Sequence, residues 1–309
     1  MSGISSDHDD LTLENEIAQL ESQLADAKRR LNIQRREAPA IHPAQHALST
    51  PPYTAPLMPD PTSTVSDSSQ HYLLLLSDSA LPLGSFAFSS GLESYLAHAK
   101  RSSSPQHKPS FTSFLPLSLS SYASTTLPFT LAAHRDPSAL ASLDDALDAS
   151  IICAVGRRAS TAQGRALLSI WEKSLAPSAA VPAKARQPLE AFSIALRRRP
   201  DADLPPPVSA HLAPLFGAVA RLLGLSLPQT ASVFLLSHAK ALVSAAVRAG
   251  LFGPYQAQKI LAGEGLQLLI ADLVRREWDV PVEKAGQSVP VMDLWIGRHE
   301  MLYSRIFNS

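Results

Sequence analysis

Residues 228–249 read PQTASVFLLSHAKALVSAAVRA, and this stretch decides the fold class. Its apolar residues cover most of the circumference of a helix, which is typical of a helix buried inside a bundle. Pro228 suits the first helical position, and Gly250 suits the position just after a helix ends. Small residues at four-residue spacing (Ser237, Ala241 and Ala245) would let a neighbouring helix approach closely. We therefore predict that this segment is the central helix of an all-α protein.

Helical periodicity extends through most of the chain on both sides of this segment. The spacing of apolar residues predicts further helices over 92–99, 111–134, 138–155, 160–175, 187–198, 209–224 and 254–276. Runs of alternating β-branched residues are nearly absent. Residues 177–188 and 200–207 are proline-rich and are predicted to be loops. Residues 71–309 are thus expected to form a single multi-helix bundle of about eight to ten helices.

The first 70 residues differ from this domain. Within residues 1–37 a short heptad seam indicates an amphipathic, coiled-coil-like helix, formed by Ile17, Leu20, Leu24, Ala27 and Leu31. With little more than three turns, the helix either pairs in a dimer or remains exposed and frays. Residues 38–70 are rich in Pro, Ser and Thr and are predicted to be a disordered linker.

Composition excludes several classes of function. The 309 residues carry 27 Lys and Arg and 27 Asp and Glu, so the chain lacks the basic excess typical of nucleic-acid binding. The single cysteine, Cys153, suits a reducing compartment. No secretory signal and no apolar run of the roughly 20 residues needed to span a membrane is evident. We expect a cytoplasmic protein that binds neither nucleic acid nor membrane.

The sequence shows no pattern of catalytic or metal-binding residues. It contains no Gly-Lys pair, so a phosphate-binding P-loop is excluded. His299-Glu300 begins a zinc-protease motif, but Tyr303 stands where the second histidine is needed. Nothing clusters an acid, a base and a nucleophile. We expect no catalytic site and no cofactor of its own, and we expect His238, midway along the buried helix, to be neutral and hydrogen-bonded.

Two stretches suggest interaction chemistry instead. Residues 76–94 read LSDSALPLGSFAFSSGLES, in which Ser90 and Glu93 have the spacing of a capping box. This stretch is either a simple connection between helices or a recognition surface. Residues 295–309 read WIGRHEMLYSRIFNS and are rich in the residue types that dominate binding interfaces. This tail either packs on its own bundle or docks on a partner.

These stretches resemble the urease accessory protein UreF family. LSDSALPLGSFAFSSGLES (76–94) is similar to one family pattern, and residues 217–261 combine its Ser-Ala-Ala-Val-Arg helix with a Gly-Pro-Tyr-Gln-Ala-Gln ending. RHEMLYSRIFNS (298–309) resembles its terminal pattern, and RASTAQGRALL (158–168) is a weaker match. Residues 72–309 are covered, in order, whereas the first 70 residues have no counterpart.

The resemblance implies a non-enzymatic helical scaffold for nickel insertion into apo-urease. It implies a homodimer that binds the accessory protein UreD (also called UreH) and recruits the GTPase UreG, with nickel handled by the complex. We predict a partner-binding set of Ser85, Phe86, Phe88, Ser89, Glu93, Arg248, Tyr255, Gln258, Trp295, Arg298, His299, Glu300, Tyr303, Ser304, Arg305 and Phe307. Arg248 is alternatively a helix-end arginine that favours the dipole. The alternative function is direct activation of UreG by an arginine finger, for which the candidates are Arg157, Arg158 and Arg248.

Overall fold

The computed structural model describes residues 64–78, 84–99, 110–179, 181–198 and 207–309, together with Gln19, Glu21, Ser22, Ala25 and Arg29. The chain divides into two compact units, Met1–Met58 and Pro59–Ser309, and all that follows concerns the second. The apolar seam predicted within residues 1–37 and the linker residues 38–63 lie outside the described residues. Both therefore stay predictions.

The described part of the second unit is built from α-helices joined by short turns. The helices are α1 (Thr64–Ser77), α2 (Leu92–Ala99), α3 (Phe111–Arg135), α4 (Leu140–Ser150), α5 (Ala154–Ile170), α6 (Ala183–Arg197), α7 (Leu212–Leu222), α8 (Leu227–Arg248), α9 (Pro254–Ala262), α10 (Glu264–Glu277) and α11 (Val291–Arg298). A π-helical turn, Trp171–Leu175, and the short helix Ala176–Ser178 extend α5. Short 3₁₀ turns lie at Ser85–Ala87, Pro137–Ala139, Val282–Lys284 and His299–Met301. The prediction of an all-α bundle is confirmed.

Several predicted boundaries are wrong. The segment 254–276 is two helices, because the chain turns at Gly263 between α9 and α10. The break between α4 and α5 falls at residues 151–153, and Gly156 lies inside α5. Helix α6 begins at Ala183 and contains Pro188 within a range predicted to be a loop.

Helix α1 begins seven residues before the predicted start of the helical domain at residue 71. Leu76 is buried, and Tyr72, Leu73 and Leu75 pack against the core. The ammonium group of Lys240, on α8, donates to the carbonyl of Ser77 and so satisfies an orphan carbonyl at the end of α1. The helical domain therefore extends to Thr64, because α1 buries an apolar face against the bundle.

Helix α8 is central, as predicted, because it packs against α1, α3, α7, α9 and α10. Helices α3 and α7 form a second closely packed part of the core. Residues 212–220 of α7 are all buried. A Cβ atom on Gly217 would lie only 2.0 Å from the carbonyl oxygen of Thr130, so glycine is what lets the two helices approach. Helix α8 packs beside this pair and keeps Arg248 and Ser244 exposed.

The C-terminal end of α8 is as predicted, but the helix begins at Leu227, so Pro228 is its second residue rather than its first. The Ser226 hydroxyl accepts from the amide of Gln229, whose side chain accepts from the amide of Ser226, which forms a capping box. Gly250 has φ 73° and lies directly after the C-cap, as predicted. Contrary to the expectation from the sequence, one described helix, α8, is long and apolar enough to cross a membrane by length and composition. Over half of its apolar window (56%) is buried inside the bundle, as in the core helix of a bundle.

Candidate functional site

The loop of residues 84–91 connects the region after α1 to the start of α2. The capping box predicted for Ser90 and Glu93 is wrong, because Ser90 adopts φ 49° in the left-handed region. The hydroxyl of Ser89 instead accepts from the amide of Glu93 at 3.3 Å. Glu93 is therefore not needed as a cap, and its carboxylate is directed elsewhere.

The Glu93 carboxylate binds the tail, residues 295–309. It accepts hydrogen bonds from Nε2 of His299 at 2.9 Å, from the amide of Ile306 at 2.7 Å and from the amide of Phe307 at 3.2 Å. Two of these donors are backbone amides of an extended segment that has no helical partners of its own. The one carboxylate thus fixes the path of the tail across the end of α2.

The tail and the loop are also joined through their backbones. The amide of Asn308 donates to the carbonyl of Ala87 at 2.7 Å, and the amide of Ser89 donates to the carbonyl of Ser309 at 2.7 Å. The Ser89 hydroxyl donates to the same carbonyl of Ser309. Ser89 and Ser309 are both almost fully buried. We call this contact of residues 84–93 with residues 299–309 the junction.

The start of the tail belongs to the core. The ring of Trp295 lies 4.8 Å from the ring of Tyr95 and 5.9 Å from that of Phe114. Gly91 has φ 84°, and a Cβ atom there would lie 3.0 Å from the amide nitrogen of Ile296. Glycine is required at this position both for the turn and for the close approach of α11.

Charged side chains at the rim of the junction also hold the tail. The guanidinium of Arg248 lies 4.5 Å above the ring of Phe307, a cation–π contact, and partial burial lowers the pKa of Arg248. Arg158, on α5, forms an ion pair with Glu300, and this hydrogen bond lowers the pKa of the Glu300 carboxyl. Arg248 lies over a buried ring but is itself exposed, and Arg158 and Glu300 are both exposed, so the ion pair contributes only modestly to stability.

The structure divides the predicted partner-binding residues into three groups. The buried ones are Ser89, His299 and Phe307, and the partly buried ones are Ser85, Phe88, Glu93 and Trp295. The exposed ones are Phe86, Arg248, Tyr255, Gln258, Arg298, Glu300, Tyr303, Ser304 and Arg305. Most of the set meets at the junction, whereas Tyr255 and Gln258 lie on α9. The buried side chains are engaged within the chain, so only the exposed ones are available to a partner in this conformation.

Several of the exposed side chains at the junction are large and apolar or aromatic. Phe86 is 64% exposed, Tyr303 is fully exposed, and Ile306 is 65% exposed. Met301, in the 3₁₀ turn between His299 and the extended part of the tail, is exposed as well. Ile306 and Met301 are not in the predicted set. Apolar side chains grouped in this way are typical of a protein-binding surface.

A cavity of about 390 Å³ lies behind the junction. Its walls come from α3, α5, α7 and α8, and Ser85, Phe88 and Ser309 bring the loop and the tail to its edge. Ser237 and Ala241, predicted to admit a neighbouring helix, instead line the cavity. His238 also lines it, stacks on Tyr122 at 3.9 Å and shares a hydrogen bond with the Ser118 hydroxyl at 3.1 Å. Burial lowers the pKa of His238 to about 3, so the prediction of a neutral, hydrogen-bonded histidine is confirmed.

One cluster, which reaches the cavity through Ser160, was not predicted from the sequence. Nδ1 of His211 lies 3.0 Å from the hydroxyl of Ser160, and its Nε2 lies 2.9 Å from a carboxylate oxygen of Asp148. A nucleophile, a base and an acid therefore do converge, contrary to expectation. The three residues lie on α4, α5 and the cap of α7, and no local motif connects them.

The arginine-finger candidates are all engaged in intramolecular contacts. Arg157 donates to the carbonyls of Asp148 and Ile151 at 2.9 and 2.8 Å, while Arg158 and Arg248 make the contacts described above. In the part of the chain that the structure describes, no group of three or more His, Cys, Asp or Glu side chains is placed to hold a metal ion.

Comparison with known proteins supports the resemblance to the UreF family. The UreF family model matches residues 106–263. A fission yeast (Schizosaccharomyces pombe) protein named "Uncharacterized urease accessory protein UreF-like" is 37% identical over 246 residues, covering 80% of this chain and all of the relative. Urease accessory protein F of rice (Oryza sativa subsp. indica) is 31% identical, covering 83% of this chain and 92% of that protein. Urease accessory protein UreF of the bacterium Paenarthrobacter aurescens is 29% identical, covering 79% of this chain and all of that protein.

The fission yeast and rice relatives each exceed 30% identity over more than two thirds of the chain. The chain belongs to the UreF family.

Proposed function

We propose that this protein serves urease maturation as a binding scaffold, and that the exposed face of the junction is the surface that binds UreD (UreH). The relatives are named urease accessory proteins, which supports a role in maturation of that enzyme. The scaffold with UreD recruits UreG, and nickel passes to apo-urease within that complex. The protein works as a homodimer in the cytoplasm.

One observation carries the choice of surface. Phe86, Tyr303 and Ile306 are exposed on two segments that the backbone bonds of the junction hold together. Large apolar side chains on a fixed backbone lose little conformational entropy on binding, because the backbone that carries them is already ordered. Aromatic anchors of this kind are the side chains that most often dominate binding energy.

The experiment replaces exposed side chains without disturbing the junction. In the double variant Tyr303→Ser, Ile306→Ser, the Glu93 contacts with backbone amides remain possible, because neither substituted side chain makes them. We expect the variant to keep the thermal stability of the wild type and to lose at least about tenfold in affinity for UreD, since each anchor is worth about 1–2 kcal/mol or more. Affinity is measured by titration of purified UreD.

Ile194 supplies a matched control. It is 61% exposed on α6, and Ile194→Ser removes a comparable exposed apolar side chain outside the junction. Unchanged binding of the double variant, or an equal loss in the control, would contradict the proposed surface.

The arginine-finger alternative rests on Arg158, which lies at the surface beside the tail with its side chain 61% exposed. If Arg158 is a finger, Arg158→Ala should lower the rate of GTP hydrolysis by UreG without changing the yield of the complex. A scaffold arginine would change the yield instead.

A further inference from the structure

The contacts of His211 fix its tautomer. A carboxylate can only accept, so the 2.9 Å contact with Asp148 places a proton on Nε2 of the imidazole. In the neutral ring Nδ1 is then a lone-pair acceptor, and the Ser160 hydroxyl 3.0 Å away donates to it. This is the order of groups that activates a serine for nucleophilic attack, with the two ring nitrogens exchanged relative to the serine proteases.

The backbone that carries the imidazole is anchored by hydrogen bonds to Asp144. Asp144 is fully buried and accepts from the amides of Ser209, Ala210 and His211 at 2.6, 3.0 and 2.6 Å. Ala210 adopts φ 69°, a left-handed conformation that costs a non-glycine residue free energy. The hydrogen bonds to this carboxylate thus offset the strain and fix the position of the His211 backbone at the cap of α7.

Ser160 faces the cavity, whereas Asp148 is at the surface side of the cluster. The serine lines the 390 Å³ cavity, and the amide of Leu212, the first residue of α7, approaches its hydroxyl oxygen at 3.4 Å. Asp148 has a side chain 31% exposed and forms an ion pair with Arg157 at 3.5 Å. Ser160 is therefore within reach of a molecule in the cavity, and the Leu212 amide favours negative charge on the Ser160 oxygen as its proton leaves.

A second serine–histidine pair in the same cavity makes a natural comparison. Ser118 bonds to His238 at 3.1 Å, but no carboxylate in the described residues contacts this imidazole. Its burial without a charge partner lowers its pKa to about 3, which makes it a weak base. The two pairs share a cavity and differ in whether an acid supports the histidine.

We propose that Ser160 is a nucleophile toward small, uncharged carboxylic esters bound in the cavity, with His211 as its general base and Asp148 as the residue that positions His211. The lining is mostly hydroxyl, amide and apolar, and Asp293 is its one carboxylate in the described chain, which disfavours anionic substrates. This chemistry does not depend on the scaffold function, and either can fail without the other.

The reaction balances without an oxidant or a metal. The Ser160 oxygen forms a bond to the ester carbonyl carbon while its proton passes to Nδ1 of His211. The bond from that carbon to the alkoxy oxygen then breaks, and the alcohol leaves with the proton from Nδ1. Water attacks the acyl-serine in the same way, which releases the carboxylic acid and restores the hydroxyl.

The test uses diisopropyl fluorophosphate on the full-length protein, because attack by an activated serine forms an oxygen–phosphorus bond and expels fluoride. Intact mass and peptide mapping should show one adduct, on Ser160. Ser118 in the wild-type protein is the internal comparison and should gain no adduct, and Ser160→Ala should not label. A folded wild-type chain that gains no adduct on Ser160 overturns the proposal, whatever the stability of the variants.

The role of Asp148 is tested by rate and rescue. Asp148→Asn should slow labelling of Ser160 by at least about tenfold, because the amide no longer enforces the Nε2–H tautomer. Asp148→Glu restores the carboxylate and should recover part of the rate, a recovery that a packing role alone does not predict. Equal labelling rates in the wild type and Asp148→Asn overturn the assignment.

Discussion

Nε2 of His299 lies 2.9 Å from the carboxylate of Glu93, although 206 residues separate them in the sequence. The imidazole is fully buried and the Glu93 side chain is only 12% exposed. The pair joins the start of α2 to the turn after α11, and the same carboxylate then binds the amides of Ile306 and Phe307. A single side chain therefore accepts three of the hydrogen bonds that hold the tail at the junction.

Replacing Glu93 should release the tail. In Glu93→Gln the side chain keeps one acceptor oxygen but loses its charge, so we expect a loss of about 1–3 kcal/mol in the free energy of unfolding. Chemical denaturation measures this loss, and amide exchange should speed up in residues 302–309. Glu283→Gln, at an exposed position on a 3₁₀ turn, is the control and should change neither quantity.

The core should not tolerate a side chain at Gly217. The new Cβ atom of Gly217→Ala would lie 2.0 Å from the carbonyl oxygen of Thr130, so α7 and α3 must move apart. We expect destabilisation of about 2 kcal/mol or more, measured by denaturant unfolding. Gly265→Ala, in α10 with nothing within 4 Å of its Cβ, should be neutral or slightly stabilising. Equal behaviour of the two variants would show that the helices are not in close contact.

His238 should make the protein less stable in acid. Its folded pKa of about 3 lies below its ordinary value of 6.5, so the unfolded state binds the proton more tightly between these limits. The free energy of unfolding should therefore fall as the pH falls below about 6.5. We expect a loss of only about 1–2 kcal/mol at pH 4.5, because the ring lines a cavity and water that enters it can solvate the charged form.

The variant His238→Gln isolates this contribution, because glutamine does not titrate. Urea denaturation at pH 7 and pH 4.5 should show a smaller acid loss than in the wild type. Part of the loss should remain, because burial also lowers the pKa of His134. An identical loss in both proteins would mean that His238 is protonated in the folded state.

Trp295 should act on stability rather than on partner binding alone. Its ring packs against Tyr95 and Phe114, so Trp295→Ala should destabilise the bundle by about 2–4 kcal/mol. Tyr255→Ala, which removes a ring that is 92% exposed, should cost less than about 0.5 kcal/mol. Thermal unfolding of the two variants distinguishes a core residue from a surface one. Deleting residues 295–309 would remove Trp295 and so weaken the fold as well as any binding.

The regular parts of the fold could be predicted because their causes are local. The apolar periodicity of α8, its start near Pro228 and its end before Gly250 depend on residues within a few turns of one another. The hydrogen-bond partners of the Glu93 carboxylate could not be predicted in this way. Its spacing from Ser90 suits a local cap, but the positive φ of Ser90 and three donors from the tail direct it to a distant segment.

The candidate sites divide in the same manner. The residue types at 84–93 and 295–309 indicated an interaction surface, yet which side chains are exposed depends on packing between distant segments. Ser160 lies 12 positions after Asp148, and His211 lies 51 positions after Ser160. Only the packing of α4, α5 and α7 brings them together, and the position of Gly164, where a Cβ atom would lie 2.1 Å from the carbonyl oxygen of Ala210, shows how close that packing is.

The central claim, that UreD binds at the junction, is tested most directly by hydrogen–deuterium exchange of this protein with and without purified UreD. We predict that new protection is concentrated in residues 84–93 and 299–309, with little change along α6. Protection confined to α6 or other segments away from the junction, in a sample where UreD is bound, would contradict the account.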